Sequence, residues 1–140
     1  MTQIEFSVQT NGKALYEITD DVAQWVSNSG HQTGLLTLFV RHTSCSLLIQ
    51  ENADPSVQTD ILNFLDRFAP EADHPDMAYL THRSEGQDDM PAHLKAMMMP
   101  VSLQIPMSKG RLVLGTWQGV YLAEHRSAPH HRRVFGHISA

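Results

Sequence analysis

The sequence contains little of what disulfide cross-links, membranes or nucleic acids require. It has one cysteine, Cys45, so no disulfide can form within the chain. No uninterrupted apolar run approaches the roughly 18 residues of a membrane-spanning helix. Ten basic against fifteen acidic residues give a formal net charge of −5, and the basic residues are scattered apart from Arg126 and the pair Arg132-Arg133. These absences argue against a disulfide scaffold, a membrane partner and a nucleic-acid partner.

The N-terminus also lacks a targeting signal. The first ten residues, MTQIEFSVQT, have neither the basic nor the apolar region of a signal peptide. With the single cysteine, this predicts a soluble protein located in the cytoplasm. At 140 residues the chain can bury about two-thirds of its unfolded surface without a structural metal. No repeat or linker divides it, so residues 1–140 are predicted to form a single domain.

The spacing of apolar residues predicts strands in both halves of the chain. Alternation in IEFSV and a nearly continuous apolar run after Gly34 are typical of strands. Ser108-Lys109-Gly110 predicts the turn of a β-hairpin whose second strand is broken at Gly115 or Gly119. Residues 35–49 are interpreted as two strands, with one long bent strand as the alternative. The predicted strands cover 3–8, 35–40, 42–49, 103–107, 111–123 and 132–138.

Three segments show helical spacing and helix-boundary residues. The first follows Thr19 or Asp20, either of which could cap it, and stops before Gly30. The second runs from Asp54-Pro55 to Pro70, and the third runs from Asp89 to Met98. Strands with interspersed helices predict an α+β fold: a single domain, mainly antiparallel sheet or sandwich, with two to three helices.

The densest group of reactive side chains lies between His82 and His93, where two histidines accompany Glu85, Asp88 and Asp89. If Asp89 caps a helix that carries His93 one turn further on, the imidazoles and carboxylates converge. Mixed nitrogen and oxygen donors suit zinc, manganese or a similar divalent ion. The spacing matches no stringent zinc signature, and the alternative assigns the aspartates to helix capping and the histidines to the surface.

Three further segments carry polar groups that could bind a ligand. Hydroxyls of His42-Thr43-Ser44-Cys45-Ser46 could position a polar ligand, or satisfy one another. A nucleophilic Cys45 paired with His42 is disfavoured, because residues i and i+3 of a strand point to opposite faces. Glycines in Gly115-Thr116-Trp117-Gln118-Gly119 admit a ligand or mark a bulge. Arg126 could bind phosphate, or form a surface ion pair with Glu124 or with aspartates elsewhere in the chain.

Several of these motifs together resemble those of the YjbQ-like family, also called the secondary thiamine-phosphate synthase family. The resemblance covers nearly the whole chain and is carried above all by ENADP at 51–55, by Ala92-His93-Leu94-Lys95, and by GRLVLGTWQGVYLAEH at 110–125. It implies a compact α+β fold, a homotrimer, and weak thiamine-phosphate synthase activity that joins hydroxymethylpyrimidine diphosphate to thiazole phosphate.

The resemblance also implies which residues act on such a small phosphorylated metabolite. It places substrate binding at His42, Asn52, Thr116 and Trp117, and catalytic roles at Glu51, Glu85 and Glu124. The residues themselves add Thr43 to the substrate-binding group and Arg126 to the catalytic group. The cofactor expected is a divalent ion, zinc, magnesium or manganese, on His82, His93 and Asp89, and Arg126 or Lys95 would help it neutralise the leaving diphosphate. Two other functions stay open: a metal-dependent hydrolase, and a non-enzymatic trimeric module that binds metal or a metabolite.

Overall fold

Eight β-strands and three α-helices follow one another within residues 2–140, the part of the chain that the computed structural model describes. The order is β1 (Gln3–Asn11), β2 (Ala14–Glu17), α1 (Thr19–Asn28), β3 (Gly34–Val40), β4 (Cys45–Glu51), α2 (Pro55–Phe68), α3 (Asp89–Met98), β5 (Ser102–Ser108), β6 (Arg111–Leu112), β7 (Gln118–Glu124) and β8 (Pro129–Ser139). A short 3₁₀ helix, Pro75–Met77, interrupts the loop between α2 and α3. The predicted α+β class is confirmed.

The strands form two antiparallel sheets. The larger has the order β1-β8-β3-β5-β6, and the smaller has the order β2-β7-β4. In the larger sheet the N-terminal strand pairs with the C-terminal one, and Gln3 lies opposite His137. In the smaller sheet Cys45 lies opposite Glu124 and Glu51 lies opposite Gln118, so β4 and β7 run side by side over their whole length.

The main core lies between the inward faces of the two sheets and α1. Alternate residues of β8 are buried, as expected of a strand with one face on the core. Strand β7 is buried at six of its seven positions, because Tyr121 and Ala123 point the other way and pack near Ile61 and Leu62 of α2. Fully buried residues of the main core include Val22, Val26, Leu36, Leu38, Leu47, Val120, Leu122 and Val134.

Some boundaries differ from the sequence-based expectation. Neither Thr19 nor Asp20 caps α1: Ile18 occupies the cap position without a side-chain bond, and the Thr19 hydroxyl donates to Glu17 instead. The expected strand over 111–123 is two strands in different sheets, separated by 113–117. The last strand begins at Pro129 rather than Arg132, and β2 had not been expected at all. Helix α2 begins as predicted, with Asp54 accepting from the Ser56 amide.

A buried ion pair joins the two sheets. The Arg132 guanidinium of β8 donates to both carboxylate oxygens of Glu124 on β7, at 2.8 and 2.6 Å. The same carboxylate accepts from Thr10 of β1, and Arg132 also donates to the Ser44 hydroxyl at the start of β4. Burial alone would raise the pKa of Glu124, but the bonds from Arg132 and Thr10 hold it below its usual value.

Among residues 2–140, no helix has the length and apolar character needed to cross a membrane.

Replacing Arg132 with alanine is expected to lower the free energy of unfolding by about 3–5 kcal/mol, because Glu124 would stay buried without its counter-charge. Urea unfolding followed by circular dichroism measures the change. The matched control is Arg133→Ala, one position along the same strand, where the guanidinium is exposed and lies 3.3 Å from Glu5. That control should cost less than about 1 kcal/mol. Equal costs for the two variants would contradict the role given to the buried pair.

Candidate metal centre

Helix α3 presents two polar side chains on one face at its N-terminal end. Asp89 is its first residue and His93 lies four positions later, so the two side chains stack on one side of the helix. Asp88 occupies the cap position, but its side chain makes no capping bond and turns instead toward Arg126 and the Ser127 amide. The expectation that Asp88 or Asp89 caps the helix is therefore wrong, and both carboxylates are free for longer-range contacts.

The loop before α3 brings His82 back onto the same face. His82 Nε2 lies 2.9 Å from Asp89 Oδ2, and His93 Nε2 lies 3.3 Å from that same oxygen. One ligand atom from each of the three residues falls within 4.8 Å of the others. Glu85 Oε2 also lies 2.9 Å from His82 Nε2 and offers a fourth donor atom. The convergence expected from the sequence is present, and Asp89 is its buried centre.

Two contacts hold the ligand atoms in orientation. His93 Nδ1–H donates to the Thr43 carbonyl at 2.8 Å, which leaves the Nε2 lone pair directed at the cluster. Arg126 Nη1 donates to Asp89 Oδ1 at 2.8 Å, so the other oxygen, Oδ2, faces the two histidines. Histidine ligands of metals in proteins commonly donate their second N–H to a carbonyl in this way. The groups around the cluster resemble the supporting shell of a metal site.

The donor set fits a divalent ion. Ligand atoms bound about 2.0–2.1 Å from a tetrahedral zinc lie about 3.3 Å from one another, close to the separations in the cluster. Two imidazoles with one or two carboxylates also suit manganese. Magnesium prefers oxygen ligands, so the two nitrogens favour zinc or manganese over magnesium.

The surrounding charges favour a cation. Hydrogen bonds to Asp89 and then Glu85 raise the pKa of His82 above its usual value. Burial opposes the charge of Asp88, but bonds from the Ser127 amide and Arg126 hold its pKa below the usual range. The carboxylates of Asp88 and Asp89 share the single guanidinium of Arg126, and Glu85 adds a third carboxylate beside His82. The excess negative charge attracts either a metal ion or a proton on His82.

Of the other residues expected at the site, some contact this cluster and others have their partners elsewhere. The Thr43 carbonyl and Arg126 belong to it. The carboxylate of Glu124 points inward to Arg132 rather than to the histidines. Lys95 is buried and donates to Asp66. His42 Nε2 accepts from the Arg133 amide, and burial of Cys45 raises the pKa of its thiol to about 12, which agrees with the disfavoured nucleophile.

A second group lies at the opposite end of the small sheet. Glu51 and Asn52 end β4, and the Asn52 amide donates to the Trp117 carbonyl at the start of β7. Six strand residues separate this end from Cys45, which is about 20 Å. Asn52 also donates to Glu17, close beside Gly119, where a Cβ would lie 2.7 Å from the Glu17 carboxylate. Thr116 and Trp117 are exposed there, the latter by 63%.

Some supporting residues were not recognisable from the sequence. The pattern around Asp88 indicated a member of the reactive group or a helix cap, yet this residue accepts from Arg126 Nε at 3.1 Å. Arg126 was expected to bind phosphate or to pair with Glu124 or an aspartate elsewhere, and it pairs with Asp88 and Asp89. The Thr43 contribution is a backbone carbonyl, which has no sequence signature. The one available signal was the excess of carboxylates near a single arginine.

Fold and centre together define an α+β protein of two antiparallel sheets, with a histidine and carboxylate cluster at the start of its third helix. The profile of the family described as UPF0047 protein YjbQ-like matches residues 3–140. The chain belongs to this YjbQ-like family, as its motifs had suggested.

Individual relatives agree over nearly the whole length. The UPF0047 protein sll1880 of Synechocystis is 49% identical over 132 residues, which is 94% of this chain and 87% of the relative. YjbQ of Escherichia coli O157:H7 is 37% identical, with 94% and 93% covered. The crystal structure of a conserved hypothetical protein from Thermus thermophilus superimposes with a TM-score of 0.83 at 39% identity, covering 97% and 99% of the two chains. These comparisons establish family and fold, and the chemistry has to be argued from the residues.

Replacing Arg126 with methionine is expected to weaken zinc binding about 10–100-fold, because Asp89 would lose the donor that orients it. Isothermal titration of the metal-free protein with zinc measures the change. Arg41→Met is the control: its guanidinium is exposed and pairs with Glu5, on the surface. An unchanged affinity in Arg126→Met, with the fold intact by circular dichroism, would refute the orienting role.

Zinc affinity is expected to rise with pH. Below the raised pKa of His82 the imidazole holds a proton that zinc must displace, and above that pKa the competition ends. Titrations from mildly acidic to mildly alkaline pH, in buffers of different ionisation enthalpy, give the affinity and the protons released. Glu85→Gln removes one of the groups that raise this pKa, so the midpoint should move to lower pH. A midpoint that stays in place would show that Glu85 does not influence His82.

Proposed function

We propose that this protein is a metal-assisted transferase that acts on a diphosphate-activated metabolite, with a thiamine-phosphate synthase-like reaction as its specific activity. The observation that carries the proposal is the convergence of His82, His93 and Asp89 within 4.8 Å, oriented from outside by Arg126 and the Thr43 carbonyl. A divalent ion held there would supply positive charge to the oxygens of a leaving diphosphate.

The reaction needs charge neutralisation more than a nucleophile. The C–O bond between the pyrimidine methylene and diphosphate breaks, and the thiazole nitrogen forms the new C–N bond and becomes a thiazolium. Diphosphate leaves with the bonding electrons, and no proton transfer is required. Because the aminopyrimidine stabilises the developing cation, the barrier falls mainly through stabilisation of the leaving group.

Under this proposal the residues of the metal centre have two roles: some hold the metal ion, and one orients a ligand of that ion. His82, His93 and Asp89 hold the metal ion, and Glu85 is an additional oxygen donor at the open side. Arg126 acts through Asp89 rather than on the substrate, because its Nε, Nη1 and Nη2 already donate to Asp88, Asp89 and the Glu85 carbonyl.

The second group, at Glu51, Asn52, Thr116 and Trp117, would bind the organic part of the substrate. One copy of the chain cannot bring this group to the metal centre, since about 20 Å of sheet separates them. The proposal therefore includes a homotrimer in which this group of one copy faces the centre of the next. Trp117 would offer a stacking surface for a heteroaromatic ring.

A binding module without turnover is the second candidate. The observation that favours it is the exposure of the centre to solvent: the side chains of His82 and Glu85 are 44% and 62% exposed. Enzymes usually exclude water around a departing phosphate group, so an exposed centre suits storage or sensing of a metal or metabolite as well as catalysis.

His82→Ala and His93→Ala are each expected to lose bound metal and to lower thiamine-phosphate formation by about 100-fold or more. The assay supplies hydroxymethylpyrimidine diphosphate and thiazole phosphate to protein loaded with zinc, manganese or magnesium. Product is followed by chromatography, and metal content by elemental analysis. His131→Ala is the control, because this exposed histidine of β8 lies away from the cluster.

Three results would redirect the proposal. Metal retained in both variants would refute the ligand assignment. A metal-loaded wild type that forms no thiamine phosphate and binds a phosphorylated metabolite without turnover would favour the binding module. Hydrolysis of a generic phosphoester instead would favour the metal-dependent hydrolase.

A further inference from the structure

The outer face of α2 carries an apolar stripe that the fold leaves uncovered. The inner face packs through Leu65 and its neighbours Ile61 and Leu62. Phe64 and Phe68 lie on the outer face, 68% and 45% exposed. Phenylalanine side chains that do not reach the core usually mark a surface that another molecule covers.

One acidic and one basic residue, Asp60 and Arg67, lie on the same outer face of α2 as the stripe. Asp60, Asn63, Phe64 and Arg67 follow one another at steps of three, one and three residues, which places them on one side of the helix and along one surface groove. Asp60 and Arg67 are about 10 Å apart along the axis, too far to pair with each other. Neither makes an ion pair with any residue from 2 to 140.

We infer that α2 of one copy packs antiparallel against α2 of a second copy, across a two-fold axis between Asn63 and Phe64. Under this symmetry, Asp60 of each copy faces Arg67 of the other, and Asn63 of each faces Phe64 of the other. Helix axes pack about 8–10 Å apart, a distance that arginine and aspartate side chains can bridge. The outer face of α2 is therefore complementary to itself in charge.

The contact is expected to be modest in strength. One helix pair covers less than the roughly 800 Å² per partner of a standard stable interface. The loop that carries Pro70, His74 and Asp76 borders the groove next to Asn63 and Arg67 and enlarges the surface. Association should therefore depend on protein concentration and on salt. It is separate from the proposed trimer and does not depend on the proposed function.

Charge reversal tests the pairing. Sedimentation velocity of the full chain over a concentration series should show wild-type particles that double in mass. Asp60→Arg alone and Arg67→Asp alone should each abolish the doubling, because like charges would then face each other twice. Carrying both changes in one chain should restore it. An equimolar mixture of the two single variants should also associate, since one brings two arginines and the other two aspartates.

Controls separate this contact from other effects. Asp21→Arg makes the same charge change on the exposed face of α1 and should leave the doubling intact. If the chain is a trimer through another surface, doubling gives six chains, and the single reversals leave three. Association that is unaffected by either reversal would overturn the inference. So would a loss of mass from three chains to one in Asp60→Arg, since it would place α2 in a three-fold contact instead.

Discussion

The buried pair between Glu124 and Arg132 is the interaction on which both the fold and the candidate centre depend. It joins the small sheet to the large one, and two sets of hydrogen bonds connect it to the candidate metal centre. On one side Arg132 holds Ser44, the residue after the carbonyl that fixes His93. On the other, Glu124 accepts from the amide of Arg126, the residue that orients Asp89. A pair far inside the protein thus sets the directions of side chains near its surface.

Charges of alternating sign continue outward from this pair. Arg132 neutralises Glu124, Arg126 neutralises part of the charge on Asp88 and Asp89, and His82 lies at the open end. His82 is far more exposed than the groups behind it, so the last negative charge is compensated by whatever the solvent supplies. A proton or a metal ion can fill that position. The same arrangement that stabilises the interior therefore leaves an excess of negative charge near the surface, where the proposed cation would bind.

The local parts of this structure were predictable, and the long-range parts were not. Helix α2 was found because Asp54-Pro55 and Pro70 mark its ends, and α3 because Asp89 and Met98 bound a short helical pattern. The His82 to His93 group was found because its members lie close together in the chain. A break at Gly115 or Gly119 was expected between the parts now seen as β6 and β7, and the break includes Gly115. That β7 joins the other sheet was missed, since burial on both faces removes the alternation that shows which sheet a strand joins. The Arg126 and Thr43 contacts bridge 37 and 50 residues, and nothing in the local pattern marks them.

The pairing of β1 with β8 has a consequence for the order of assembly. Arg132 lies on β8, the strand that completes the large sheet by joining β1 to β3. Contacts between the two chain ends form slowly, because a loop of roughly a hundred residues or more must close first. Until they form, Glu124 has no counter-charge and Asp89 and His93 lack their fixed orientation. The ligands proposed for the centre are therefore all present in the chain before the contacts of β8 can hold them in place.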